Sequence, residues 1–261
     1  MTSTDSVASN VTMVKRLYDE ATLADLVVFP ENSLFLRIRS GGAVEALGLA
    51  GVECAEIQEM VNQGGKPLML TTAIKAEGGL ARNSTLLFEP ARPVREVYSK
   101  IHLFDVDVVG APPVRESETF APGRESAVVD VGGWKFGLSI CYDLRFSELY
   151  SRYAQSVDVI LIPSAFLVPT GEAHWQVLVR ARAIESQCYV AAPAQGGEHV
   201  SQQGGPGRQT YGHSLVVDPW GGVALEMTQG PGVRVVELNR ELIEKARRQI
   251  PMSGHRRLAR G

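Results

Sequence analysis

Short apolar runs rich in valine and isoleucine recur along the 261 residues, and they constrain the fold more than any other feature. Several of them, such as "VDVILIP" at 157–163, are continuous rather than alternating, which is typical of strands buried on both faces. Segments with helical spacing of apolar residues lie between some of these runs. The mixture favours a layered α/β sandwich over a helical bundle or a β-barrel. The predicted strands span 24–30, 67–74, 84–90, 127–132, 135–140, 157–163, 188–194, 212–219, 223–227 and 233–238, and the predicted helices span 8–22, 52–65, 147–156 and 172–187.

No linker, repeat or low-complexity tract divides the chain, and its 44% hydrophobic content is enough to build a substantial core. We therefore expect residues 1–261 to form a single domain. The segment from Val108 to Arg124 contains three prolines and is predicted to be a long loop that covers part of a site.

Charge and composition exclude several classes of partner and site. The net charge is −3 and no basic stripe precedes the final "HRRLAR", so nucleic acid is not expected. No apolar run approaches the roughly 18–20 residues of a membrane span, and the polar N-terminus lacks the apolar core of a signal peptide. Three scattered cysteines and five histidines without ligand spacing argue against a disulfide framework or a metal site. We expect a cytoplasmic protein without a metal.

The segment "KFGLSICYDLRFSELY" (135–150) places Cys141 where a predicted strand gives way to a helix. The thiol is either a small packing residue, as we interpret Cys54 and Cys188, or a nucleophile. A free thiol has a pKa near 8.5, so a nucleophile would need a nearby base or cation and donors for the oxyanion. At a helix start, the following amides and the helix dipole would favour the thiolate.

Three other segments carry side chains of the required kinds. Glu31 follows the strand that ends at Pro30, Lys100 follows a probable strand, and Glu116 lies in the proline-bearing loop. A Glu–Lys–Cys constellation would be self-consistent, because the glutamate could move the thiol proton and the lysine could stabilise an oxyanion. Composition and spacing do not show that these residues meet.

The segments "FPE", "YSKIHLFDVD" and "ICYDLRFSELY" resemble the three signatures of the nitrilase superfamily, the carbon–nitrogen hydrolases with a Glu–Lys–Cys triad. "SAFLVPTGEAHWQVLVRARAIESQCYVAAPAQGGEH", "YGHSLVVDPWG" and the closing "IPMSGHRR" resemble the Nit branch, which contains deaminated glutathione amidase and ω-amidase. Within the branch, "RARAIESQCYV" and "YGHSLVVDPWG" are more similar to the deaminated-glutathione amidase side. The resemblance extends from about Ser3 to Arg257.

The resemblance implies a role for each matching residue. Glu31 would be the general base, Lys100 would stabilise the tetrahedral oxyanion, and Cys141 would be the nucleophile. Glu116 would position the lysine and the substrate, and the backbone amide of Tyr142 would complete the oxyanion hole.

Four further residues are predicted to bind the substrate. Ser164, Ala165 and Phe166 follow a strand end and would form the pocket edge, with plain strand termination as the alternative. His174 either lines the pocket or caps the helix that begins near Glu172. Asp143 and Arg145 are interpreted as an internal ion pair rather than as substrate contacts.

The resemblance further implies a four-layer αββα sandwich that forms a homodimer or a higher even-numbered oligomer. The expected reaction is hydrolysis of an amide of a small carboxylate-bearing substrate, with release of ammonia through a thioester and without any cofactor. Deaminated glutathione or an α-keto ω-amide would be the substrate. The alternatives are an N-carbamoyl amine hydrolase and, outside enzymes, a catalytically silent scaffold protein.

The chain departs from the family pattern in one place. Family members open with a strand similar to "RVAVVQM", whereas Met1 stands where that strand would end. Either the true start lies upstream or this chain tolerates the gap. We favour an upstream start, and we expect an extension of about ten residues to raise the melting temperature.

Overall fold

Two β-sheets form the centre of the fold in the computed structural model, which describes residues 1–39, 41–76, 78–109 and 113–257. One sheet has four strands in the order β1-β2-β3-β4, and the other has six in the order β14-β13-β10-β9-β8-β7. Two short antiparallel pairs, β5–β6 and β11–β12, lie outside them. The strands are β1 (Val27–Val28), β2 (Leu68–Lys75), β3 (Ala81–Phe88), β4 (Arg95–Ser99), β5 (Asp105–Val106), β6 (Val114–Arg115), β7 (Ala127–Val131), β8 (Trp134–Leu138), β9 (Val159–Leu161), β10 (Tyr189–Ala192), β11 (Gly196–His199), β12 (Arg208–Tyr211), β13 (Leu215–Val217) and β14 (Val223–Glu226).

The helices cover the outer faces of the two sheets. Helices α1 and α2 share a core with the four-stranded sheet, and α3 and α4 share one with the six-stranded sheet. The helices are α1 (Val7–Glu20), α2 (Val52–Gly64), α3 (Ser147–Tyr153), α4 (Val168–Ser186), α5 (Arg240–Gln249) and α6 (Met252–His255).

Strand β2 shows why its apolar run is continuous. Leu68 and Leu70 point to the core beneath α1 and α2, whereas Met69 between them belongs to the core shared with the other sheet. Successive side chains alternate across a strand, so a strand that lies between two cores needs apolar residues on both faces. The two sheets therefore pack face to face between helical layers, which confirms the predicted αββα sandwich.

Two expectations about individual segments are wrong, and one helix was not predicted. Residues 233–238 belong to no strand, although Val236 and Leu238 pack against the core. Alternation makes the segment extended, but a strand also needs a partner for its backbone groups. The charged sequence after it forms α5, which was not predicted, and α4 begins at Val168 rather than near Glu172. Within the predicted loop 108–124, residues 110–112 lie outside the described residues.

Candidate active site

Glu31 lies just beyond β1 and is almost completely buried, with 2% of its surface exposed. One carboxylate oxygen, Oε1, accepts hydrogen bonds from Lys100 Nζ at 2.9 Å and from Asn83 Nδ2 at 2.9 Å. The backbone carbonyl of Glu31 accepts a hydrogen bond from Gln195 Nε2 at 3.0 Å. Side chain and backbone are thus both held in place by residues distant in the sequence.

Lys100 follows β4, and its ammonium group lies between two carboxylates. Its Nζ is 2.9 Å from Glu31 Oε1 and 2.9 Å from Glu116 Oε2, and its side chain is 1% exposed. Burial by itself lowers the pKa of Lys100, but Glu116, Glu31 and Cys141 outweigh it and raise this pKa well above its usual value. The lysine is therefore a permanent positive charge at this site.

Glu116 lies in a short 3-10 turn, Glu116–Glu118, directly after β6. Its Oε2 accepts the backbone N–H of Phe104 at 2.7 Å, while Oε1 accepts from Lys100 at 3.0 Å. The carboxylate therefore joins the loop to the lysine.

Cys141 comes three residues after the end of β8, at the start of the 3-10 turn Cys141–Arg145. Its φ of 48° is in the left-handed region, which costs a residue other than glycine about 1–3 kcal/mol. Its backbone N–H donates to the carbonyl of Pro163 at 3.0 Å. The α-helix begins only at Ser147, so the expectation that Cys141 stands at its N-terminus is wrong.

Cys141 is 8% exposed, and its thiol lies close enough to Glu31 for the carboxylate to act on its pKa. Burial and then the charge of Glu31 raise the pKa of Cys141 well above its usual value, against the opposing effects of Lys100 and the Ala165 amide. The predicted dipole effect is therefore outweighed, and the resting site holds a protonated thiol next to a base. The structure brings Glu31, Lys100, Glu116 and Cys141 into one cluster at the ends of the two facing sheets.

A small cavity is lined in part by Cys141. Within the described residues, the backbone N–H of Tyr142 has no hydrogen-bond acceptor and can donate to a bound group. Ala165 and Phe166 are among the residues that line the cavity. The lining residues are Phe104, Cys141, Tyr142, Arg145, Ala165, Phe166, Leu167 and Thr170.

The structure does not bring Ser164 or His174 to this cavity. Ser164 is completely buried and donates its hydroxyl to the carbonyl of Ile162 at 3.0 Å. His174 is exposed on α4, with its Nδ1 3.3 Å from Arg145 Nη1. His174 therefore contacts a residue of the cavity wall rather than the cavity itself.

The whole chain matches known proteins in both sequence and fold. Residues 2–248 match the family described as carbon-nitrogen hydrolase. The chain belongs to this family. Its assignment to the nitrilase superfamily, as a hydrolase of carbon–nitrogen bonds other than peptide bonds, is thereby confirmed.

Individual relatives of this carbon–nitrogen hydrolase cover nearly its full length. The deaminated glutathione amidase of Synechocystis is 37% identical over 98% of this chain and 95% of its own. The NitFhit protein of C. elegans superimposes with a TM-score of 0.83 at 33% identity, covering 98% of this chain and 63% of that one. Saccharomyces cerevisiae Nit3, a member of branch 10 of the nitrilase superfamily, superimposes with a TM-score of 0.74 at 27% identity. The match covers 98% of this chain and 93% of that one.

The expected ion pair between Asp143 and Arg145 is absent among the described residues of the hydrolase. The buried Asp143 carboxylate instead accepts four hydrogen bonds, from the Tyr98 hydroxyl at 2.7 Å, the His102 amide at 2.9 Å, His102 Nδ1 at 2.7 Å and the Ile140 amide at 2.9 Å. Asp143 therefore fastens the segment after Lys100 to the segment before Cys141. Sequence reasoning missed this link, because nothing local distinguishes Asp143 from a surface acid.

Arg145 is left without a carboxylate partner in the described part of the hydrolase. Its guanidinium lies 5.9 Å from the centre of the Tyr142 ring and 5.5 Å from that of Phe166, at the wall of the cavity. Groups of three or more histidine, cysteine, aspartate or glutamate side chains placed to bind a metal ion are not found in the described ranges. Among the same residues, no helix has the length and apolarity needed to cross a bilayer.

Proposed function

We propose that this hydrolase is an amidase in which Cys141 is the nucleophile, Glu31 the base and Lys100 the oxyanion stabiliser. The observation that supports it most directly is that the buried thiol of Cys141 lies beside Glu31, whose carboxylate is bonded to Lys100 at 2.9 Å. A thiol held on a base beside a fixed cation is the arrangement that thioester chemistry requires.

In the first half-reaction, Glu31 accepts the thiol proton as the sulfur attacks the amide carbonyl. The ammonium of Lys100 and the backbone N–H of Tyr142 stabilise the oxyanion, each contributing about 3 kcal/mol. Glu31 then returns the proton to the leaving nitrogen as the carbon–nitrogen bond breaks. In the second half-reaction, water loses a proton to Glu31, attacks the thioester and releases the acid, and the sulfur recovers its proton. Glu116 keeps Lys100 in position throughout.

The substrate we propose carries a carboxylate on its acyl half, the half whose carbonyl Cys141 attacks. Arg145 supports this proposal, because a guanidinium at a cavity wall without an acidic partner is suited to a carboxylate. The name of the Synechocystis relative points to deaminated glutathione, and a short α-keto ω-amide would meet the same requirement. The leaving group is ammonia for the ω-amide and the amine of a dipeptide for deaminated glutathione.

We further propose a homodimer in the cytoplasm. Helix α4 exposes Val177 by 70% and Ile184 by 48%, which supports pairing of this helical face with a second copy. The cysteines at 54, 141 and 188 are all unpaired, which suits a reducing compartment. Light scattering of the wild type and of Val177→Glu measures the mass in solution, and a monomeric wild type would contradict the dimer.

The function is tested by product analysis with deaminated glutathione, an α-keto ω-amide and an N-carbamoyl amine. The acid, amine and ammonia released are each quantified. Turnover of either of the first two should disappear in Cys141→Ala and persist in Cys54→Ala, which removes a buried thiol outside the site. Activity that survives Cys141→Ala would refute the nucleophile, and turnover of the carbamoyl amine alone would refute the amidase assignment.

A further inference from the structure

Two arginines lie beside the catalytic cluster on the side of Glu31 and Glu116. Arg208 lies on β12, with its side chain on the same inward face as the buried Thr210, and it is half-buried. Its Nη1 donates to the backbone carbonyl of Arg37 at 3.0 Å, and Arg37 Nη1 donates to Thr119 Oγ1 at 3.1 Å. The two residues are 171 positions apart and are brought together only by the fold.

Neither guanidinium has a carboxylate at ion-pair distance within the described ranges. Burial lowers the pKa of Arg208 despite the opposing charge of Glu31, and the neighbouring Arg37 lowers it further. Half-buried cations are normally paired, because removing an isolated charge from water is unfavourable. The like charge of Arg37 acts unfavourably on Arg208, which increases the benefit of a bound anion.

The position of these arginines indicates which part of a substrate they would meet. Thr119, which accepts from Arg37, donates its backbone N–H to the carbonyl of Glu116 at 2.9 Å, so the two arginines lie beside the turn that carries Glu116. The charges of Glu31 and Glu116 also act on Arg208. Glu31 delivers the proton to the leaving nitrogen in the proposed mechanism, so the amine half of the substrate lies on the Glu31 side. Arg145, in contrast, lies at the cavity next to Cys141, where the acyl half is bound.

We propose that Arg37 and Arg208 form a second anion subsite, which binds a carboxylate on the amine half of a dicarboxylate amide. This inference rests on the proposed function and narrows its substrate class. Deaminated glutathione has one carboxylate on its acyl half and another on the glycine of its amine half. A short ω-amide loses ammonia and has nothing to place in the second subsite, so the subsite favours the longer substrate.

Binding measured by calorimetry tests the subsite without requiring turnover. Deaminated glutathione and its C-terminal amide are titrated into Cys141→Ala protein, alone and combined with Arg208→Gln or Arg37→Gln. The free acid should bind on the order of 10- to 100-fold more tightly than the amide, as expected for charge-assisted hydrogen bonds to one carboxylate. Each arginine variant should remove most of that preference.

The control is Arg234→Gln, which removes the same charge from an exposed side chain bonded to the carbonyl of Val233, and it should keep the full preference. Should Arg208→Gln fail to fold by circular dichroism, Arg208→Lys and Arg37→Gln decide the matter. Equal binding of acid and amide, or a preference that survives in the arginine variants, would overturn the subsite.

Turnover of a short ω-amide by the wild type is measured in parallel. Hydrolysis of that amide together with equal binding of acid and C-terminal amide would leave the proposed function standing and remove the subsite alone.

Discussion

Replacing Asp143 by asparagine tests the link between the Lys100 segment and the Cys141 segment. The carboxylate accepts two hydrogen bonds on each oxygen, and each oxygen faces one backbone N–H, that of His102 or that of Ile140. An asparagine presents one oxygen and one NH2 group, so in either orientation one of these backbone donors loses its acceptor. The side chain is completely buried, and water cannot replace the lost acceptor.

The cost of this change can be worked from the contacts. A buried donor left without an acceptor costs about 1–3 kcal/mol, and the remaining bonds lose the advantage of a charged acceptor. We expect the free energy of unfolding to fall by about 3 kcal/mol in urea titrations at pH 7. The Ile140 amide immediately precedes Cys141, and a shift of that segment by about 1 Å should lower kcat on the order of 100-fold.

The control is Asp130→Asn, because Asp130 is exposed and accepts one turn hydrogen bond, from the Gly133 amide at 3.0 Å. We expect this variant to lose less than about 1 kcal/mol and to keep its kcat. An Asp143→Asn protein with the stability and kcat of the control would refute the proposed link.

Three other predictions concern acidity, thiol reactivity and the lysine. Burial lowers the pKa of His199 to about 4, with Nδ1 donating to the carbonyl of Ser3 and Nε2 accepting from Thr210. Because this folded-state pKa is depressed, the contribution of the neutral His199 ring to the free energy of unfolding is present above pH ~6.5 and is lost as the pH falls towards 4. This contribution amounts to about 3 kcal/mol. Urea unfolding of the wild type at pH 7 and 4.5 should show that loss of stability, and His199→Gln should reduce the difference between the two pH values. Equal pH dependence in the wild type and the variant would contradict the role of His199. Since burial and Glu31 raise the pKa of Cys141, its iodoacetamide labelling, followed by mass spectrometry, should keep accelerating above pH 9. A plateau below pH 8, or labelling no faster than that of Cys54, would argue against the proposed site. Lys100→Ala should lower kcat on the order of 100-fold or more in steady-state assays, and a rise in KM alone would instead make Lys100 a substrate anchor.

Local sequence was sufficient to predict most of the sheet strands and the candidate catalytic residues. Continuous apolar runs predicted the strands that lie between two cores, because side-chain alternation is a property of the strand itself. Glu31, Lys100 and Cys141 were found because each lies in a short segment that resembles a signature of the family. Their catalytic roles stay predictions that the experiments above will test.

The tertiary structure alone decided which side chains meet. Asp143 bonds to His102, 41 positions away, rather than to the neighbouring Arg145, because the packing of the two sheets brings buried donors to its carboxylate. Arg37 and Arg208 are adjacent for the same reason. Residues 233–238 have the alternation of a strand, yet no described strand pairs with them. The sequence thus determined the strands, the helices of the core and the types of reactive group, whereas long-range packing decided the partners, since a contact depends on both of its ends.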